Sequence, residues 1–312
     1  MEYITLKNTD LVVSRLCMGG CPMGQYGWGD VQEKELLDAV NTAVDNGITF
    51  FDTADTYGLG KSEENLAKAL GARRKDVVIA SKFGVRVENG KTFYDNSPAW
   101  IETALTNSLR RLNTDYIDLY QVHYLDGKTP MEEVVSALED MKKKGYIRQY
   151  GLSNIHAEDV EKIRPFAGRF ASMQDEYSLS CRKNEQDLLD TAKTLQLTPM
   201  TWGSLGQGIL TGKYDKNTVF DSNDRRSRDI YVNFHGKKLE KNLDIVESMK
   251  PIAAGHGVSV AAVAVRFILD HIEDSVVLVG AKRPSQILGS MESMGWKLEK
   301  EELEILCRVS AD

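Results

Sequence analysis

The feature that most constrains the fold of this chain is an alternation. Short apolar runs, rich in β-branched residues, recur along it, and each is followed by a longer stretch with helical spacing. The runs cover 14–19, 48–52, 77–82, 116–123, 147–153, 170–174, 198–202 and 275–280. Runs of this length fit strands buried on both faces. Strands alternating with helices build βαβ units and hence a parallel sheet. Eight such units in 312 residues match a (β/α)8 TIM barrel, an α/β fold of typically ~250 residues plus insertions. The competing arrangement is an open doubly wound sheet that cradles a dinucleotide on a glycine-rich turn. No G-x-G-x-x-G follows any of the runs. Gly206-Gln207-Gly208-Ile209-Leu210-Thr211-Gly212 misses that spacing by one residue and follows the seventh run, not the first. A phosphate-binding P-loop fails too, because Gly212-Lys213 is followed by Tyr214.

Helix boundaries support the same reading. Ser97-Pro98 places a cap before a proline at the first helical position. Thr129-Pro130-Met131-Glu132 reads as a capping box, and Gly145 ends the helix that follows, after Lys142, Lys143 and Lys144. Those lysines complement the helix dipole and need no functional explanation. The interval 203–274 is the longest between runs and predicts a long loop and extra helix between strands seven and eight. No linker, composition break or internal repeat divides the chain, so one domain spanning 1–312 is expected.

Composition excludes several classes. With 42% hydrophobic and 27% charged residues, the chain is an ordinary globular protein, not a disordered one. Its 39 Lys+Arg against 46 Asp+Glu leave a net charge of −7, which argues against a nucleic-acid partner. Four cysteines, Cys17, Cys21, Cys181 and Cys307, form no C-x-x-C pair, so reduced thiols and no structural zinc are expected. No apolar run approaches the ~20 residues that cross a bilayer. The first residues also lack a basic stretch followed by an apolar one, so the expectation is a cytoplasmic protein with no membrane partner.

In a barrel, the C-terminal ends of the strands converge on one mouth. Here those ends carry Asp52 with Tyr57 just beyond, Lys82, His123, Ser153-Asn154, Gln174 and Trp202. A lysine at the end of an apolar strand needs an anion, and Asp52 is the neighbouring one. A free phenol has a pKa near ~10; an ammonium beside Tyr57 would lower it and make the hydroxyl a usable proton donor. His123 could then orient a carbonyl oxygen against Tyr57. Taken singly, each residue also has a structural reading: Asp52 a turn residue, Tyr57 a rim aromatic, Lys82 a structural cation, His123 a satisfied core histidine. Metal ligation is not expected, because no second histidine or carboxylate cluster stands at ligand spacing.

The strand-end motifs resemble a known family. Phe51-Asp52-Thr53-Ala54-Asp55-Thr56-Tyr57-Gly58, Ser81-Lys82-Phe83-Gly84, Asp118-Leu119-Tyr120-Gln121-Val122-His123 and Gly151-Leu152-Ser153-Asn154 look like the aldo-keto reductases. So do Met173-Gln174-Asp175-Glu176-Tyr177-Ser178-Leu179 and Gly208-Ile209-Leu210-Thr211-Gly212-Lys213-Tyr214. The match runs in order over nearly the whole chain. It is nearest the branch that holds bacterial sugar and aldehyde reductases and potassium-channel β subunits.

The resemblance implies a catalytic tetrad of Asp52, Tyr57, Lys82 and His123, with Tyr57 the proton donor, and NADP (NADPH) as cofactor. Asn154 and Gln174, with Ser153 beside them, would hold the nicotinamide carboxamide, and Trp202 would stack on the ring. Ser204, Leu205 and Gly208 would line the pyrophosphate path, with Lys213 as counter-charge. Gly280, Lys282 and Gln286 would meet the adenosine phosphate, and a lysine at 282 favours the 2′-phosphate of NADPH over NADH. Two departures stand out: Ser204 where the family often has proline, and Gly289-Ser290 where it usually carries Glu-Asn. The block 214–238, with Arg225 and Arg226, would fold over the cofactor as a clasp or lie as a surface loop. Trp28, Phe83 and Tyr124 are the aromatic candidates for the substrate pocket, followed by Tyr94 and Phe234. The implied activity is reduction of an aldehyde or ketone to an alcohol by hydride transfer. The alternatives are an NAD(P)-dependent sugar or alcohol dehydrogenase using the same site, and a cofactor-sensing regulatory subunit. Partners would be small-molecule aldehydes, ketones or sugars; assembly of copies stays open, since the outer helices can face water or a second copy.

Overall fold

Period-two side-chain alternation, imposed on eight short strands, generates this molecule. The computed structural model describes residues 1–311. A hairpin of β1 (Tyr3–Thr5) and β2 (Val12–Ser14) precedes β3 (Leu16–Gly19), β4 (Phe50–Asp52) and β5 (Val78–Phe83). A second hairpin, β6 (Val85–Glu88) and β7 (Lys91–Tyr94), comes next. Then follow β8 (Ile117–Val122), β9 (Ile147–Ser153), β10 (Ser172–Glu176), β11 (Thr198–Trp202) and β12 (Val276–Gly280). Strands β3, β4, β5, β8, β9, β10, β11 and β12 pair in that order, all parallel. Val277 of β12 then pairs with Leu16 of β3 to close the barrel. All eight apolar runs are thus barrel strands. Neither hairpin was expected, because each of their strands is only three or four residues long and carries exposed positions.

Successive side chains on a strand point to opposite faces. Two apolar clusters result. One fills the ring and contains Cys17, Phe50, Val78, Ala80, Leu119, Met200, Val276 and Leu278. The other lies between ring and helices and contains Leu16, Phe51, Ile79, Tyr120, Leu152, Met173 and Val277. Stepping two residues from each inner position toward the strand ends gives Asp52 after Phe50, Lys82 after Ala80, Gln121 and His123 after Leu119, and Trp202 after Met200. The interior is therefore apolar below and polar at the mouth. The opposite end is stoppered by the first hairpin, whose Leu6, Leu11 and Val13 join the inner cluster at 1% exposure or less.

The outer layer comprises α1 (Glu33–Asp45), α2 (Lys61–Leu70), α3 (Pro98–Leu112), α4 (Met131–Lys143), the single turn α5 (Val160–Ile163) and α6 (Glu185–Leu195). After β11 come α7 (Gly236–His256) and α8 (Val260–His271), and after β12 come α9 (Pro284–Met291) and α10 (Lys300–Ser310). No single helix among the described residues is long and apolar enough to cross a membrane. Ser97 caps α3 as expected, accepting from the Trp100 amide at 3.4 Å. The capping box expected at Thr129 does not form. Pro130 occupies the cap position, and the Thr129 hydroxyl instead donates to Asp126 Oδ2 at 2.7 Å, since a carboxylate is the stronger acceptor. The true capping box is Glu299 with Glu302, at the start of α10.

Leu11 tests the stopper. Truncation to alanine removes a fully buried side chain at the floor of the ring, so Leu11→Ala should lose ~2–5 kcal/mol in urea unfolding. A loss below ~0.5 kcal/mol, the range of an ordinary surface substitution, would show that the hairpin does not pack there.

Candidate active site at the barrel mouth

Four strands deliver the central charge pair and the side chains that bond to it. Lys82, 1% exposed, ends the inner row of β5, and its Nζ donates to Asp52 Oδ1 on neighbouring β4 at 2.5 Å. It also donates to the Thr53 carbonyl at 3.1 Å and to the Tyr57 hydroxyl at 3.3 Å. The second Asp52 oxygen accepts from Gln121 Nε2 at 3.1 Å and from Gln174 Nε2 at 2.9 Å. Every strong hydrogen-bonding atom of this buried pair thus has a partner, which is the condition under which such a pair is tolerated. Gln121 was not singled out in the sequence. Its signal was a polar residue two positions before His123, in a strand otherwise apolar on its inner face.

Tyr57 is set by the turn that follows β4. Gly58 has φ +61°, and a Cβ there would lie 2.1 Å from the Gly24 carbonyl oxygen, so only glycine lets the two loops touch. The Tyr57 ring meets the His123 imidazole edge-on at 5.9 Å. Asp52, Tyr57, Lys82 and His123 are thereby brought together.

The electrostatics correct one expectation. Burial raises the Tyr57 phenol above its usual value, and Asp52 adds to this; Lys82 opposes both without reversing them. The ammonium is already matched by Asp52, so the resting group is a neutral phenol. Burial alone would depress Lys82, but Asp52 and Tyr57 outweigh it and hold the ammonium charged. Burial, and then Lys82, push His123 well below the usual histidine range, so its imidazole is neutral at pH 7.

Behind this site lies a second polar group that the sequence reading passed over. Glu63 of α2 is fully buried and accepts from Ser81 Oγ and Arg111 Nε, each at 2.6 Å. Asp55, in the turn that carries Tyr57, has its Oδ1 buried without a partner. Burial and the facing Glu63 raise the Asp55 carboxyl to about 8, while Arg111, the Thr56 amide and Lys82 pull it down.

The remaining predicted residues are spread over the same face. Trp202, half-buried, donates from Nε1 to Asn154 Oδ1 at 3.2 Å. Asn154 gives its amide to the His123 carbonyl at 3.0 Å and to Ser153 Oγ at 3.1 Å, and Ser153 donates to the Gln174 carbonyl at 3.0 Å. Asn154 and Gln174 thus each hold bonds within the protein. The Ser204 hydroxyl is buried and turned onto the Thr201 carbonyl at 3.0 Å. Leu205 and Gly208 are half-buried in a turn of left-handed residues, Gly206, Gln207 and Gly208, and Lys213 is exposed beyond it. Gly280 is exposed at the end of β12. Gln286 Oε1 accepts from the Lys282 amide at 2.7 Å, and Lys282 Nζ donates to the Trp28 carbonyl at 2.8 Å.

The block 214–238 is ordered over this face and reaches the loop after β3. Arg225 donates to the Gly27 carbonyl at 3.1 Å and to the Tyr26 carbonyl at 2.5 Å, and its guanidinium lies 5.0 Å over the Trp28 ring. Arg226 is paired with Asp224 at 2.6 Å among Trp28, Tyr214, Phe220 and Phe234. Two pocket candidates are corrected. Phe83 is fully buried in the outer cluster against Tyr120, because it occupies an outward position of β5. Phe234 is buried in the aromatic nest around Arg226. Tyr124 stacks on His123, and Trp28 stays half-buried with Nε1 lacking a partner.

Comparison with known proteins agrees with the barrel fold. The model of the Aldo/keto reductase family matches residues 15–311. This chain belongs to that family. It is 35% identical over 305 residues to aldo-keto reductase YhdN of Bacillus subtilis, covering 97% of this chain and 91% of the relative. Its fold is similar to that of a glycerol dehydrogenase from Gluconobacter oxydans, with TM-score 0.88, 33% identity and coverage of 98% and 94% of the two chains. It is also similar to an aldo-keto reductase from Klebsiella pneumoniae solved in complex with NADPH, with TM-score 0.76, 26% identity and coverage of 99% and 96%.

Asp55 gives a prediction in pH. In the unfolded chain an aspartate titrates near ~4, whereas the folded protein keeps this proton to about 8. Between those values the folded state binds the extra proton, so stability falls as pH rises and levels off above the upper one. Asp55→Asn removes this dependence. Its urea midpoint relative to wild type should move in the variant's favour between about pH 5.5 and about pH 8.5. An unchanging difference would mean that Asp55 stays ionised throughout.

Proposed function

We propose that this protein is an NADP-dependent reductase of aldehydes or ketones. The observation that carries the reading is the contact of Lys82 Nζ with both Asp52 and Tyr57, beside a neutral His123, at the open end of the ring. The residues fit a dinucleotide. In a chain of net charge −7, Lys282, Arg226 and Arg283 are gathered close enough to act on one another, with Asp224 and Asp30 as the facing anions. Burial, and then Arg226, depress the Lys282 ammonium, and a bound phosphate would relieve both costs. The Trp28 indole nitrogen, buried without a partner in the same region, offers a further donor. The left-handed turn at Gly206–Gly208 is suited to the pyrophosphate, and the NADPH-bound relative from Klebsiella pneumoniae supports the same cofactor.

When bound, the nicotinamide supplies a hydride to the carbonyl carbon. The protein handles the proton. Tyr57 is neutral at pH 7 because burial keeps its pKa high, so it arrives ready to donate to an oxygen that is gaining charge. The phenolate it would leave is met by the Lys82 ammonium at 3.3 Å, which Asp52 keeps charged. A proton on His123 Nδ1 would be a buried donor with no acceptor, so the favoured tautomer carries it on Nε2, free to donate to the same oxygen.

The reverse direction, oxidation of a polyol or other alcohol, is the second reading. The resemblance to a glycerol dehydrogenase supports it, and one site serves both directions. Assays of NADPH oxidation with 4-nitrobenzaldehyde and with glyceraldehyde, beside NADP⁺ reduction with glycerol, separate the two. Tyr57→Phe should lower kcat at least ~10²-fold in either direction while NADPH still binds. Undiminished turnover in that variant would overturn the assignment. Lys282→Met should weaken NADPH by about tenfold and leave NADH nearly unchanged, as titration would show.

A further inference from the structure

A catalytic imidazole is usually oriented by a hydrogen bond at its second ring nitrogen. Among the described residues His123 has none: Nδ1 is buried without a partner. Its ring is held by packing alone. It meets Tyr57 in a T-shaped contact at 5.9 Å, and Tyr124 stacks on it at 5.1 Å and 24°. Tyr124 is covered in turn by Tyr94, at 5.0 Å and 22°.

Tyr94 is the last residue of β7, paired across the hairpin with Val85. The base of that hairpin is fastened to the segment that carries Tyr124. The Asp95 amide donates to the Gly84 carbonyl at 3.0 Å, and Asn96 Nδ2 donates to the Tyr124 carbonyl at 3.2 Å. Asn96 and Asp126 exchange backbone-to-side-chain bonds at 2.9 and 2.7 Å. Along the hairpin, Arg86 pairs with Asp95 at 2.7 Å and lies over the rings of Phe93 and Trp100. Tyr94 is 42% exposed and adds little to the core. Among the described residues, its ring stacks on Tyr124 alone.

We propose that Tyr94 is a positioning residue, and that the β6–β7 hairpin fixes the His123 imidazole through the ring of Tyr124. This rests on the reading of His123 as the group that steers the carbonyl oxygen. Packing replaces the missing hydrogen bond: without Tyr94, Tyr124 can tilt outward and the imidazole follows it. Because misplacement of a reacting group by about an ångström costs up to ~10²-fold in rate, the effect belongs in kcat.

The test compares wild type, Tyr94→Ala, Tyr94→Phe and Tyr57→Phe with NADPH and 4-nitrobenzaldehyde. NADPH affinity is measured by fluorescence titration and folding by thermal unfolding. Tyr94→Ala should lose about tenfold in kcat, with KM and NADPH affinity each within about twofold. Tyr94→Phe, which keeps the ring and drops only the hydroxyl, should recover most of that kcat. A rise in KM alone would make Tyr94 a substrate contact and overturn the proposal. So would unchanged kcat in Tyr94→Ala, or a phenylalanine variant as poor as the alanine one. If Tyr57→Phe kept full turnover, the reading of the whole mouth would fail, and the Tyr94 proposal with it; loss in Tyr57→Phe with an unaffected Tyr94→Ala would overturn the positioning role alone.

Discussion

A lysine ammonium and an aspartate carboxylate, both almost wholly buried, meet at the top of the barrel, and the rest of the site is arranged around them. Isolated charges in such a place would each cost several kcal/mol, so the pair survives only with its remaining atoms satisfied. That requirement accounts for Gln121 and Gln174 on Asp52 and for the Thr53 carbonyl on Lys82. One ammonium contact is left over, and it goes to Tyr57. The phenol is thus beside a positive charge that it did not have to recruit, which is the form of preorganisation that lowers the cost of developing charge.

The same pair explains why Tyr57 is not already ionised. Asp52 balances the ammonium, and burial disfavours a phenolate, so the hydroxyl keeps its proton until an acceptor gains negative charge. A lysine without its aspartate would tilt this balance the other way. The field acting on Tyr57 is that of a dipole whose positive end lies nearer, and not that of an isolated cation.

The strands and the four charged or polar residues at their ends were legible in the sequence because both follow from local pattern. An apolar run marks a strand, and its last inner position marks the mouth. Phe83 was misjudged because it lies next to Lys82 in sequence but one step out of phase, and a single step moves a side chain from inside the ring to outside it. Phe234 was misjudged for another reason: its partner, Arg226, is set by the course of an irregular loop, which no periodicity encodes. The cluster of Asp55, Glu63 and Arg111 draws on three separate elements, with Arg111 48 residues beyond Glu63, so nothing in one stretch announces it. The two hairpins are short and partly exposed, and carry too little apolar patterning to stand out.

Closure of the ring has a consequence for how the chain is made. The last barrel strand docks on the first, with Arg15 and Ser275 joined at a sequence separation of 260. A ribosome releases the amino end first, so the seam must wait for almost the entire polypeptide. Until then, the two outermost strands are raw edges able to pair with a stranger. Assembly with so many distant contacts is slow by nature, which leaves those edges bare for longer and makes nascent molecules, not finished ones, the vulnerable population.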